Sequence, residues 1–213
     1  MSVSLSAVIL AAGESTRMGS DKALLPWPPV AREGAASTKT FLSASIEALG
    51  SVSELVIVVV GKNESSVAPL VYATAAAMVV NPAPELGQFS SLQVGLREVL
   101  KRGRDAAIVT LVDRPPVTAT TLDFLRTAFE QALTRRHWAV IPEFGGKHGH
   151  PFLIGRELIE AFLRAPAGAT ARDIEHQHLQ HIEYVPVTDP FVTMNVDTPE
   201  DYAALSASVP LQK

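Results

Sequence analysis

Arg17 and Lys22 share a short polar stretch, Ala11 to Lys22, with Gly13, Ser15, Thr16 and Gly19. A planar guanidinium fork and an ammonium point charge on one loop suit a polyphosphate. Small residues around Gly13 leave backbone N–H groups free to face an anion, and Gly13 itself is expected to supply positive φ and close backbone approach. Two acids extend the same chemistry. Asp113 directly follows the apolar run Ala106 to Val112, and Asp197 lies in NVDTPEDY with Asn195 as a neighbour able to share its role. Carboxylates at two separate strand ends are the hard oxygen donors that Mg²⁺-dependent phosphoryl or nucleotidyl transfer needs. Each residue also has a plainer reading: solvated cations on a turn, a turn aspartate after a strand, a turn aspartate before a helix.

Three further groups have chemical potential. Asn81 to Leu96 (NPAPELGQFSSLQVGL) carries Asn81, Gly87, Ser90, Ser91 and Gly95. Serines at a helix start cap it, and can also donate to a phosphate or ribose. His148 and His150 form an H-x-H pair, which on a strand puts both on one side and is one arrangement for a metal. With no third ligand in the sequence, His150 reads as a substrate contact and His148 as nothing special. His176, His178 and His181 (HQHLQH) lack the i, i+4 spacing of a helical metal pair, so a solvated face is the better reading.

These residues need a scaffold, and the hydrophobic pattern supplies one. Strands are predicted at Ser4 to Leu10, Glu54 to Gly61, Met78 to Asn81, Ala106 to Val112, Trp138 to Ile141, Phe152 to Ile154, Ile182 to Val187 and Val192 to Val196. Between them, Phe41, Leu42, Ile46 and Leu49 recur at helical spacing before Gly50. Ser66 to Ala77 reads as a helix with Pro69 in its first turn, Leu92 to Leu100 as another, and Leu122 to Leu133 as a third begun by a Thr120–Asp123 capping box. Leu158 to Leu163 gives a fourth, and Thr198-Pro199-Glu200-Asp201 caps a terminal one with Pro199 in its first position. This alternation predicts a three-layer α/β/α sandwich on a mostly parallel, Rossmann-like sheet, in a single domain over residues 1–213. Ligands in such sheets bind beyond the carboxyl ends of the strands, where Gly13, Asn81 and Asp113 all fall. Pro28 to Lys39 interrupts the rhythm as a polar loop, either a lid over the substrate or a plain surface insertion.

Composition narrows the partners. Of 213 residues, 47% are hydrophobic, enough for a substantial core, and the net charge of −4 gives no bulk attraction to nucleic acid. The basic clusters Lys101-Arg102-Arg104 and Arg135-Arg136 fall at helix ends and read as solvated faces. There is no cysteine, which excludes thiolate nucleophiles and cysteine metal sites. No signal-peptide pattern opens the chain and no apolar run could span a bilayer, so no membrane partner and a cytoplasmic location are expected.

The stretch LAAGESTRMGSDK resembles the L-A-A-G-x-S-x-R-M-G-x-x-K signature of the MobA-like nucleotidyltransferases, which include the molybdenum cofactor cytidylyltransferases. LVDRPPV, NPAPELGQFSSLQVGL, PEFGGKHGHPFLIGRE and NVDTPEDY are similar to that family's remaining segments, in the same order. The resemblance implies a Mg²⁺-dependent transfer of NMP from NTP to a phosphorylated small-molecule acceptor. By it, Leu10, Ala11, Ala12 and Gly13 would hold the base and phosphates, with Arg17 and Lys22 on the triphosphate. Asp113 and Asp197 would ligate the metal, Asn81, Ser90 and Ser91 would border the active site, and His150 would face the acceptor. Ala12, in L-A-A-G rather than L-A-G-G, favours CTP, and molybdopterin leads as acceptor. Arg114, where the family commonly has Gln or Met, keeps a sugar phosphate or polyol phosphate as a rival. A nucleotide-binding regulatory protein without turnover is the reading from outside the enzyme class.

Overall fold

The structure is a computed structural model that describes residues 3–29, 39–166 and 168–208. In chain order the elements begin with β1 (Leu5–Leu10), the two-residue strands β2 (Pro26–Trp27) and β3 (Lys39–Thr40), and α1 (Phe41–Gly50). Next come β4 (Leu55–Val60), α2 (Glu64–Ala73), β5 (Ala77–Val80), α3 (Gln88–Lys101), β6 (Ala106–Leu111) and α4 (Ala119–Thr134). The last part holds β7 (Ala139–Phe144), β8 (Lys147–His148), β9 (Phe152–Gly155), α5 (Arg156–Arg164), α6 (Ala171–Gln177), β10 (Ile182–Pro186) and α7 (Pro199–Ser208).

One sheet has the order β10-β7-β9-β6-β1-β4-β5, with β8 added to β7. β1 lies parallel between β4 and β6, whereas β9 runs antiparallel to both β6 and β7. β1 is buried along its whole length, which accounts for its apolar run from Ala7 to Leu10. Its alternate residues feed two cores. Leu5, Ala7 and Ile9 pack with Leu42, Ile46, Leu122, Leu125 and Phe129 of α1 and α4. Val8 and Leu10 face Leu92, Leu96, Leu158 and Phe162 of α3 and α5. The expected three layers and mostly parallel sheet are therefore present. Gly95 permits α3 to approach β1 closely, since a Cβ there would lie 2.5 Å from Val8 Cγ1.

Several local expectations are corrected. Val192 to Val196 is no strand: Pro190–Val192 forms a 3₁₀ turn and an irregular segment follows. Asp197 is thus held at the end of a loop. α4 starts after Thr118, whose hydroxyl accepts from Thr121 N, so the Thr120–Asp123 capping box does not form. The buried Asp189 carboxylate fixes that start by accepting from Thr118 N (3.0 Å) and Thr121 Oγ1 (2.9 Å). Pro69 lies inside α2, beyond its first turn, and the helix ends at Ala73. The terminal capping box does form, with Asp201 Oδ2 accepting from Thr198 N at 2.9 Å and Thr198 Oγ1 from Asp201 N at 3.2 Å. Most of Pro28 to Lys39, the lid or insertion of the sequence reading, lies outside the described residues. Among the described residues no helix is long and apolar enough to cross a membrane.

Candidate active site

The carboxyl ends of β1 and β6 lie side by side, because Leu10 pairs with Leu111. The loops leaving them meet over a cleft of about 340 Å³ lined by Gly13, Arg17, Lys22, Ser91, Asp113 and Asp197. Lys22 is pinned at its backbone, where its N–H donates to Ser15 Oγ at 3.1 Å. It begins a 3₁₀ turn capped by Asp21, which accepts from Ala23 N. Its side chain reaches inward, and Nζ donates to Asp197 Oδ1 at 2.6 Å and to Asp113 Oδ2 at 3.4 Å. Arg17 approaches the same Asp197 oxygen at 3.3 Å from an exposed position. Asn195 donates to the other oxygen at 2.8 Å, supporting Asp197 rather than standing in for it. Lys22, with Arg17 and Asn195, holds the Asp197 carboxyl below the usual carboxylate range.

The loops bearing the two acids are sewn together. Val196 N donates to Asp113 O at 2.9 Å and Arg114 Nη1 to Met194 O at 3.2 Å. Arg114 lines neither this cleft nor the larger cavity beside it. The residue that departs from the family pattern thus braces the Asp197 loop from behind. The carboxylates are hard donors, and Asp113 Oδ1 is buried without a hydrogen-bond partner, so a hard divalent cation fits the pair. Among the described residues no group of three or more His, Asp or Glu is arranged to hold a metal. A Mg²⁺ ion on Asp113 and Asp197 would therefore complete its shell with phosphate oxygens and water, its usual habit.

Other expected site residues take up more specific places. Gly13 has no positive φ; Ser15 (φ 51°) and Gly19 (φ 72°) make those turns instead. A Cβ at Gly13 would meet nothing within 4 Å, so its contribution is open space above the loop. Leu10 and Ala12 line the cleft, whereas Ala11 is buried and bonds N to Val59 O at 2.8 Å. Asn81 is buried, and its amide donates to Ser90 Oγ (2.8 Å) and Ser91 Oγ (3.0 Å) while Oδ1 accepts from Ala83 N. Both serines therefore serve the Asn81 loop rather than capping α3, and Ser91 is the one that reaches the cleft.

Beyond the cleft lies a larger cavity of about 990 Å³, which shares Leu10, Gly87, Gln88 and Leu111 with it. Its walls include Phe89, Leu92, Ile141, Phe152, Leu158 and Phe162. His150 lines it, with Nδ1 buried and unpartnered. Burial, with the nearby Arg114 charge, pushes this histidine down to about 3. His148 does not share a strand with His150, since β8 ends at His148. Instead it stacks on Tyr184 with ring centroids 3.9 Å apart, and Tyr184 donates to Glu175 Oε1 at 2.7 Å. Of the HQHLQH histidines, His181 stacks on Trp138 at 3.9 Å and His178 tilts against it at 5.1 Å. Packing explains these two better than a solvated face, whereas His176 is exposed.

One contributor escaped the sequence reading. Asn63, after β4, donates to Ala11 O at 3.0 Å and to Asp21 Oδ2 at 2.9 Å. In the sequence it reads only as a helix cap.

A family model described as the MobA-like NTP transferase domain matches residues 7–183. A probable molybdenum cofactor guanylyltransferase from Rhodopirellula baltica is 32% identical over 128 residues, covering 60% of this chain and 57% of that protein. The match thus spans little more than half the length of that curated relative. Rv0371c from Mycobacterium tuberculosis H37Rv shares the fold at 25% identity and a TM-score of 0.75, over 96% of this chain and 99% of that one. So does a molybdopterin-guanine dinucleotide biosynthesis protein A from Archaeoglobus fulgidus, at 17% identity and a TM-score of 0.69, over 95% and 97% of the two chains.

Proposed function

This chain belongs to the MobA-like NTP transferase family, and we propose that it transfers CMP from CTP to a phosphorylated, pterin-type acceptor such as molybdopterin, releasing pyrophosphate. The observation that carries this reading is the convergence of Arg17, Lys22, Asp113 and Asp197 on one cleft that adjoins a large cavity with both apolar and polar walls. An acceptor phosphate oxygen attacks the α-phosphorus, and the bond from that phosphorus to the bridging oxygen breaks as pyrophosphate leaves. A phosphate monoester, with a second pKa of about 6, is already largely ionised near neutral pH. No general base is therefore needed, and the enzyme's work is alignment and charge neutralisation. Arg17 and Lys22 bind the triphosphate, and Asp113 and Asp197 hold Mg²⁺. That ion, when bound, neutralises charge on the α-phosphate and orients the incoming oxygen.

The cavity argues for the acceptor class. Walls of Phe, Leu and Ile beside Lys147, Arg172 and Glu175 suit a bulky body with an apolar face and polar edges, whereas a small polyol phosphate would leave the apolar walls unmatched. A purely regulatory nucleotide-binding role leaves the paired carboxylates without a use. Ala12 supports CTP through the family resemblance, but the Rhodopirellula relative is named for guanylyl transfer, so GTP is the decisive competitor. A thermal-shift panel of CTP, GTP, ATP and UTP, each with and without Mg²⁺, tests the assignment. Selective, Mg²⁺-dependent stabilisation by CTP is expected, followed by pyrophosphate release with molybdopterin that Asp113→Ala abolishes. Preference for GTP would reassign the base. No binding of any NTP would sink the reading.

A further inference from the structure

The signature loop, residues 11–21, is open to two pockets along its first half. Ala12, Gly13, Ser15 and Thr16 border the nucleotide cleft on one face and a second open pocket of about 480 Å³ on the other. Met18 anchors the loop in an apolar cluster with Phe41, Val196 and Leu205, but packing does little for the stretch from Ala12 to Thr16, where polar braces take over.

Asn63 is placed to be that brace. It occupies the N-cap position of α2, where an asparagine side chain ordinarily accepts from the helix's own first-turn amides, yet it makes no such bond. Its Oδ1 turns back to accept from Gly61 N at 3.1 Å, which orients the amide. Nδ2 then donates to Ala11 O, where the loop begins, and to Asp21 Oδ2, where it ends. The other Asp21 oxygen caps the turn that carries Lys22, accepting from Ala23 N at 3.0 Å. One side-chain amide therefore closes the loop like a clasp, and its far end leads through Asp21 to Lys22. A helix cap has been given up to do this, the kind of local exception that marks a functional position.

We propose that Asn63 is a positioning residue for nucleotide binding, holding the signature loop closed and fixing the base of Lys22 through Asp21. The inference rests on the nucleotidyltransferase reading, and its test separates the two. On the full-length protein without ligand, hydrogen exchange at the Lys22 and Ala23 amides is compared between wild type and Asn63→Ala. Titrations with Mn²⁺·CTP and Mn²⁺·GTP, well below the unfolding temperature, then give nucleotide affinity. Asn63→Ala is expected to speed exchange at those amides and to weaken nucleotide binding by about tenfold, as loss of a hydrogen bond to a charged group should. Asn63→Asp should be worse, because it faces Asp21 with a like charge. The exchanged pair Asn63→Asp with Asp21→Asn restores a donor to that contact and should bind more tightly than Asn63→Asp alone. A merely structural role would lower thermal stability without this rescue of affinity. Unchanged exchange, wild-type nucleotide affinity in Asn63→Ala, or an exchanged pair no better than Asn63→Asp overturns the proposal while leaving the function standing. A wild-type protein that binds neither nucleotide overturns both.

Discussion

Lys22 Nζ sits at the point between Asp113 and Asp197 that a cation ligated by both carboxylates would need. A lysine and a divalent ion cannot share it, because like charges at such separations repel strongly wherever water is partly excluded. On the proposed function, a metal on both carboxylates would therefore require Lys22 to swing away, and the triphosphate would offer it a better-matched anion. Lys22→Met should tighten binding of Mn²⁺ alone by about tenfold, a free-energy change ordinary for one close charge. The same change should weaken binding of the Mn²⁺·nucleotide complex. Electron paramagnetic resonance of free Mn²⁺, with and without nucleotide, reads both; unchanged binding of Mn²⁺ alone would show that no competition exists. The sequence exposed Arg17, Lys22, Asp113 and Asp197 because charged residues stood out against apolar runs. It could not expose Asn63, whose partners lie 52 and 42 residues away, nor that Arg114 turns inward to a backbone carbonyl. Residue type announces chemistry, whereas direction is decided by tertiary contacts.

At the scale of elements, the segment after the 3₁₀ turn at Pro190 alternates apolar and polar residues as a strand would, yet it pairs with no strand. It is held instead by single bonds from two sides. His150 N donates to Val192 O at 2.7 Å, and Val196 N to Asp113 O at 2.9 Å. Gly149 makes this possible, because a Cβ there would lie 2.2 Å from Val192 O. Gly149→Ala is thus expected to displace the Asp197 loop, costing about 1–3 kcal/mol of stability and weakening Mn²⁺ binding. Urea unfolding checks the first and Mn²⁺ titration the second. The packing role of Gly149 is hidden in the sequence because the contact crosses 43 residues. The same limit explains the misplaced start of α4. By sequence Thr120 has the better capping partner in Asp123, and the distant Asp189 favours Thr118 instead.

For the whole molecule, the alternation of strand and helix patterns was enough to give the layers and the mostly parallel sheet. It could not give the reversed direction of β9, since a four-residue apolar run reads the same in either sense. Global stability should carry the signature of His150. Its folded-state value lies near 3 against an ordinary 6.5, so below about pH 6.5 the unfolded chain takes up a proton that the folded protein refuses. Stability from this group is complete above about pH 6.5 and is lost progressively as pH falls towards 3. In His150→Phe, the stability difference between pH 7.5 and pH 5 should shrink, as measured by urea unfolding at each pH. An equal difference in both proteins would show that His150 does not set the acid limit.

The shared wall between cleft and cavity, made by Leu10, Gly87, Gln88 and Leu111, has a consequence for turnover. Under the proposed function, once the acceptor and the nucleotide are joined a single molecule would occupy both compartments. Each half then holds the other at high effective concentration, as in any tethered pair of ligands. On the proposed function the joined product is expected to bind more tightly than either substrate, with its departure slow. A first turnover of pyrophosphate faster than all later ones would reveal this, and a linear time course from the start would exclude it. An enzyme built this way retains its product until something draws it off.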